Sequence, residues 1–199
     1  MKLTTYLLTL AAISVLPVAN AASIQIQNFG LTQLLDNAGA PLANGGFLGL
    51  YAFGAGDGAP PSDAAAAVAN GSNGLLNNTA LDSNLNGGDA GRFFASMGFA
   101  NDGSINGQNL YLMFGDGGDA ASSSQIGLVN LNLTPNVSDS PPPGWVSNGN
   151  NLSPAAGDVV IGNLGAGGVA AALAVAIPEP SSSLMIGLAG LAFFIRRKR

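Results

Sequence analysis

The sequence contains no cysteine and no histidine. Without cysteine there can be no disulfide, no thiolate metal site and no cysteine nucleophile. Without histidine the commonest general base and the commonest transition-metal ligand are both missing. Cations are scarce as well. Of six lysines and arginines, Lys2 stands at the start and Arg196, Arg197, Lys198 and Arg199 stand together at the end. Between Ala22 and Ile177, Arg92 is the sole basic residue against ten aspartates, which leaves that stretch at −9. Nucleic-acid binding needs lysine and arginine against the phosphates, so this composition excludes it. Charged residues make up 9% of the chain, against about one quarter in ordinary soluble domains.

What is present is small and polar without being ionic. The 199 residues include 29 glycines, and asparagine and serine are dense between Asn70 and Asn151. With 47% apolar residues, this is not the composition of a disordered chain, which pairs low hydrophobicity with high charge. The length suits one modest domain between two terminal signals.

Met1–Ala21 has the form of a secretory signal peptide. Lys2 supplies the positive start, Leu7–Leu16 the apolar stretch, and Ala19-Asn20-Ala21 the small-x-small pattern that signal peptidase cuts after. At the other end, Ile177-Pro178-Glu179-Pro180 is followed by Ser181–Ser183, an apolar run Leu184–Ile195 and the basic cluster Arg196–Arg199. The prolines forbid continuous helix and hold that motif extended, readable by a processing enzyme. As a helix, Leu184–Ile195 would span roughly 18 Å, short of about 30 Å of hydrocarbon. Serines and snorkelling arginines could extend it, and the basic cluster would stay cytoplasmic.

The order Pro178-Glu179-Pro180, short apolar helix and arginine-rich terminus resembles the PEP-CTERM sorting domain of Gram-negative bacteria. That resemblance implies recognition by an exosortase-type protease, removal of the tail, a membrane-inserted intermediate and delivery to the cell surface or extracellular polymer. It covers about the last two dozen residues and carries an address rather than a fold. The middle is also similar to other exported proteins of this kind, through Gly107–Phe114 and Ser124–Leu128, but no activity follows from that likeness.

Between the signals, alternation and β-branched or aromatic content predict strands over Ser23–Phe29, Phe47–Phe53, Phe93–Phe99, Asn109–Phe114, Gln125–Leu133 and Asp158–Gly162. Val169–Ile177 reads either as a last strand or as a Gly/Ala spacer. One short helix is expected over Asp63–Asn70, capped by Ser62 and ended at Gly71. The expectation is a mainly β chain: an antiparallel sandwich or barrel-like domain with one short helix, flanked by a signal helix and a C-terminal apolar helix. The domain is placed at 22–150, with last strands or spacer over 151–177.

Few constellations invite chemistry. Asp82, Asn84 and Asn86, followed by Gly87, alternate oxygen ligands before a turn glycine as a calcium loop does. Phe93 stands where that loop should close with glutamate, so a plain solvated turn is the competing reading. Asp116-Gly117-Gly118-Asp119 reads as a hairpin turn. Ser122–Ser124 lack a histidine or lysine to activate them, and Gly54–Gly58 lacks the lysine and helix of a phosphate loop. Asp89 and Arg92 can form a surface ion pair. Trp145 is either a core plug or a sugar-stacking platform.

With no nucleophile–base pair to name, the expectation is a non-enzymatic surface or extracellular-matrix protein with no cofactor. Its partners would be signal peptidase, an exosortase-type protease and exopolysaccharide. A carbohydrate-binding or calcium-dependent adhesive module is the alternative, and an Asp-based hydrolase stands third.

Overall fold

The computed structural model describes residues 21–28, 32–54, 58–86, 88–100, 104–135 and 146–174. The chain is mainly β. Its strands are β1 (Ala21–Gln27), β2 (Gln33–Leu35), β3 (Phe47–Phe53), β4 (Leu75–Ala80), β5 (Phe94–Ala100) and β6 (Asn109–Gly115). They continue as β7 (Gln125–Asn130), β8 (Val146–Asn151), β9 (Val159–Ile161), β10 (Asn163–Gly165), β11 (Gly168–Ala170) and β12 (Ala172–Leu173). One helix, α1 (Ala64–Ala69), joins β3 to β4.

The large sheet runs β12-β7-β6-β3-β4, with β9 also on β7. All of its pairings are antiparallel. A second sheet, β5-β1-β8, pairs β1 with β5 antiparallel and with β8 parallel. A third, β10-β11-β2, pairs β11 with β2 parallel. Most pairings are thus antiparallel, as the sequence leads one to expect. The two parallel ones need long crossovers rather than hairpins.

Strand composition follows from how many faces are covered. In β1, Ala22, Ile24 and Ile26 are buried and alternate with half-exposed Ser23, Gln25 and Gln27. In β5, Ala95, Met97 and Phe99 are buried while Ser96, Gly98 and Ala100 are exposed. Such period-two patterning belongs to a sheet wet on one face. By contrast every residue of β3 is buried, and β6 and β7 are nearly so. These strands carry apolar cover on both faces. On one face, Leu48, Leu50, Leu110, Leu112 and Phe114 share a core with Ile24, Ile26 and Met97 of the β1 sheet. On the other, Phe47, Tyr51, Tyr111, Met113 and Leu128 pack with Ala64 and Ala67 of α1, Ala120 and Ile161.

Close approaches explain two glycines. Gly127 of β7 faces Phe114 of β6, and a Cβ added there would lie 2.1 Å from the Phe114 ring. The ring fills the space the glycine leaves. Gly71, expected to end α1, does not take the left-handed conformation of a helix stop. Its added Cβ would lie 2.7 Å from that of Ala120, so it lets the helix exit pass close to the β6–β7 loop. The helix ends at Asn70, and it is capped by Asp63 rather than Ser62. Asp63 Oδ1 accepts the Ala66 N–H at 2.8 Å, whereas the Ser62 hydroxyl donates to Asp63 at 3.3 Å. A carboxylate one residue nearer the helix satisfies the free N–H groups better than the hydroxyl before it.

Beside the strands, Asn28 is fully buried and joins the end of β1 to the turn before β5. Its Nδ2 donates to the Gly91 carbonyl at 2.8 Å, and its Oδ1 accepts the Phe93 N–H at 2.6 Å. On the helix side, the Tyr51 hydroxyl donates to the Gly71 carbonyl at 2.7 Å. Its ring stacks on Phe53 at 5.8 Å, and Phe53 meets Tyr111 edge-on at 5.4 Å. Burial, reinforced by the charge of Asp119, pushes the Tyr51 phenol up to about 12, so it is a neutral donor at all ordinary pH.

Candidate functional site

The polar groups of this protein gather in loops, and the aspartates organise them. Seven of the ten aspartates lie among the described residues, and each is engaged locally. Asp36 Oδ1 accepts the N–H groups of Ala38 and Ala40 at 2.9 and 2.8 Å. Asp63 caps α1, as above. Asp82 Oδ1 accepts the Asn84 N–H at 2.9 Å. Asp89 Oδ2 lies 3.2 Å from Arg92 Nε. Asp116, Asp119 and Asp158 complete the set.

The loop from Asp116 to Ser124 connects the β6–β7 hairpin and is the densest of these scaffolds. Asp116 accepts the Ser124 hydroxyl, the Ser124 N–H at 2.8 Å and the Gln125 N–H at 3.2 Å. Partial burial works to raise its carboxyl, but the hydrogen bonds from Ser124 and Gln125 outweigh it and hold the group below its ordinary value. Asp119 accepts the Ser122 N–H at 2.7 Å. The hydrogen bonds from Ser122 lower its carboxyl too. The Ser123 hydroxyl donates to the Asp119 carbonyl at 2.7 Å and accepts the Gly117 N–H at 3.1 Å. The serine triplet therefore closes a loop.

In the calcium-like stretch, Ser83–Asn86 forms a single 3-10 turn. Asp82 spends one oxygen capping that turn, and the Ser83 N–H donates to Asn44 Oδ1 at 3.0 Å. Asn84 is exposed. Asn86 ends the turn, and Gly87 lies outside the described residues. Among the described residues no three carboxylates come together to hold a metal ion.

Asp158 belongs to a different arrangement, a cleft of about 150 Å³ between the ends of β7 and β8 and the turn before β9. Asn132 Nδ2 donates to Asp158 Oδ1 at 2.8 Å, and the Ala155 N–H donates to Oδ2 at 2.7 Å. The bond from Asn132, then that from Ala155, lower this carboxyl. Nothing in the sequence singled out this cleft. Its polar residues sit in three separate segments, Asn130–Asn132, Asn150–Ser153 and Asp158, whose meeting depends on the parallel β1–β8 pair. A second, more apolar cavity of about 490 Å³ lies between the start of α1 and β9 and β12, beside exposed Leu173.

Several expected site residues fall outside the described residues: Ala19, Trp145, Pro178, Glu179, Pro180, Arg196, Arg197, Lys198 and Arg199, together with the two terminal helices. Ala21, the residue before the expected signal cut, is the first residue of β1 and pairs with Ala100. No helix among the described residues is long and apolar enough to cross a membrane.

Comparison with known families bears on the C-terminal stretch alone. Residues 176–199 match the PEP-CTERM protein-sorting motif. The chain carries a PEP-CTERM sorting signal. It is thereby an exported protein, sorted to the cell surface and processed by an exosortase-type system. The match takes in Pro178-Glu179-Pro180 and the basic cluster, the residues on which the resemblance rests. No curated protein and no solved structure matches the chain significantly.

Proposed function

We propose that this PEP-CTERM protein is a non-enzymatic component of the cell surface or extracellular matrix, held in or near exopolysaccharide. The observation that carries the reading is a sorting signal joined to an acidic domain whose carboxylates are committed to its own turns. A general acid at neutral pH needs a carboxyl raised toward 6 or 7. Asp116, Asp119 and Asp158 are lowered instead, which supports a structural role over an Asp-based hydrolase. The turn at Asp82 is closed by its own hydrogen bonds, which supports a fold that needs no calcium. A surface rich in amides and hydroxyls and poor in cations suits a hydrated, mostly uncharged polymer. In this reading the Leu184–Ile195 segment holds a membrane-inserted intermediate until the protease releases the domain outside.

The test is the mass and location of the protein in its own host, with and without the exosortase. A product that begins at Ala22, lacks the basic tail and lies outside the cell only when the protease is present fits the reading. Replacing Pro178 and Pro180 by alanine should leave the full tail attached and the protein in the inner membrane. Release that proceeds equally without the protease, or with both prolines replaced, would remove the support for matrix delivery.

A further inference from the structure

The cleft that contains Asp158 is built unlike the other loops. Its rim is formed by Asn130, Asn132, Asn150, Asn151, Ser153 and Asp158, and its apolar floor by half-exposed Leu131 and Leu133. Asn132 has φ 54° and is the one non-glycine residue in the left-handed region among the described residues. That conformation costs free energy, and such outliers gather at binding sites when the surroundings hold them. Here Asn130 Oδ1 accepts the Asn132 N–H at 2.9 Å and Asp158 accepts its side-chain amide. Asn150 turns its amide inward, to the Gln25 carbonyl at 3.0 Å and to Ser147. Among the described residues, the amide nitrogen of Asn130, the whole amide of Asn151 and the Ser153 hydroxyl make no hydrogen bond. A frame is thus held rigid while other polar groups on the same rim are left over.

Those leftover groups define the ligand. They mix donors and acceptors around a small apolar floor, beside one carboxylate that is already hydrogen-bonded and no cation. An anion would meet Asp158 and the charge of −9 carried by Ala22–Ile177. A divalent cation would find too few carboxylates. The volume equals that of about five waters, too little for a drug-sized aromatic ligand. Hydroxyl groups, each both donor and acceptor, fit such a rim, and the C–H face of a pyranose fits the floor. We propose that this cleft binds a single neutral sugar residue of an extracellular polysaccharide. The inference deepens the proposed matrix function by naming where the polymer is held.

Few hydrogen bonds in an open cleft give weak binding, with a dissociation constant between about 1 and 50 mM. Many copies along one polymer would raise it by avidity. The experiment is saturation-transfer NMR on the exported, processed protein, titrated with glucose, galactose and mannose, then with dextran and alginate. At least one neutral sugar should bind, and dextran or its like should bind in preference to acidic alginate. Asn151→Ala, which breaks no side-chain hydrogen bond among the described residues, and Asp158→Ala should each weaken binding tenfold or more. Asn78→Ala, on the exposed part of β4, should leave it unchanged. Melting temperature, measured alongside, separates lost binding from lost folding, and Asn151→Ala keeps the test valid if Asp158→Ala unfolds the turn.

Neutral-sugar binding that survives both cleft variants would overturn the site while leaving a polysaccharide-associated protein intact. No binding of any neutral sugar up to about 100 mM, or binding of alginate alone, would overturn the proposal outright. Neither result would touch exosortase processing, which the localisation experiment reads separately.

Discussion

Replacing Asn28 should destabilise the domain more than any other single polar change. Its side chain is fully buried and satisfies two main-chain groups that face no water, the Gly91 carbonyl and the Phe93 N–H. Asn28→Ala strands the Phe93 N–H and removes one of two donors from the Gly91 carbonyl, which keeps the Leu34 N–H at 2.8 Å. An unsatisfied buried polar group costs about 1–3 kcal/mol and a lost hydrogen bond about 1 kcal/mol, so the loss should be about 2–4 kcal/mol. In urea, with a slope of about 2 kcal/mol/M, the unfolding midpoint should fall by about 1–2 M. Asn28→Asp separates the two bonds. It keeps the acceptor for Phe93 but turns the donor toward Gly91 into an oxygen. A carboxylate there is buried against a carbonyl, so its folded pKa should rise above the unfolded value of about 3.9. Below that value the protonated acid can donate to Gly91, and the deficit relative to wild type should be small. It should grow as pH rises from about 4 toward the raised folded value. Paired urea melts at pH 4 and pH 7 read both effects. A midpoint shift under about 0.3 M for Asn28→Ala, or a pH-independent deficit for Asn28→Asp, would refute the reasoning.

Three further outcomes follow from the loops, the sheet and the helix. Asp116, Asp119 and Asp158 have folded pKa values below their ordinary one of 3.8. The stability they add is present above that value and is lost as pH falls through the lower folded values. Melting temperature should therefore hold level from about pH 8 to pH 5 and drop below about pH 4. A protein that melts higher at pH 3 than at pH 6 would contradict this. Asp116→Ala at neutral pH should cost about 1 kcal/mol, a modest figure because the group is exposed, and lower the melting temperature by about 2–4 °C. Gly127→Ala should cost about 1–3 kcal/mol by displacing the Phe114 ring, and far less in a Phe114→Ala background. Equal costs in both backgrounds would mean that the ring does not occupy the glycine's space. Finally, Asp63→Ala should cost about 1 kcal/mol and Ser62→Ala close to nothing, since Asp63 is the cap; thermal melts that reversed this order would reinstate the serine.

The strands legible in the sequence are the ones whose burial leaves a mark. Phe47–Phe53 stands out because both of its faces are covered, and Ser23–Phe29 because one is. The strands that pass unnoticed are β2, β4, β8 and β10. Leu75–Ala80 is half polar and Val146–Asn151 mostly so, and their strand state comes from hydrogen bonds to a neighbour rather than from side-chain alternation. The strand expected over Gln125–Leu133 stops at Asn130 because Asn132 turns into the left-handed region. Val169–Ile177 resolves into two short strands ending at Leu173, and its last three residues lie outside the described part. The sorting signal was the most legible feature of all, since an address read by an enzyme must be linear. The cleft was the least. Asn130, Asn150 and Asp158 become neighbours only through long-range pairing, and asparagine is too common here to draw attention.

The two parallel pairings have a consequence for the order of events during export. The domain cannot close until its late strands arrive. β1 waits for Phe94–Ala100 and then Val146–Asn151, and β2 waits for Gly168–Ala170. A chain threaded outward from its N-terminus therefore reaches the far side with its first strands unpartnered and its edges open. The Ala21–Ala22 bond lies inside the β1–β5 ladder with Ala22 buried, so it is covered only once Phe94–Ala100 has paired. Closure comes only when β11 has crossed, a few residues ahead of the sorting motif at 176–199. The fold is thus completed only as the sorting motif follows its last strands.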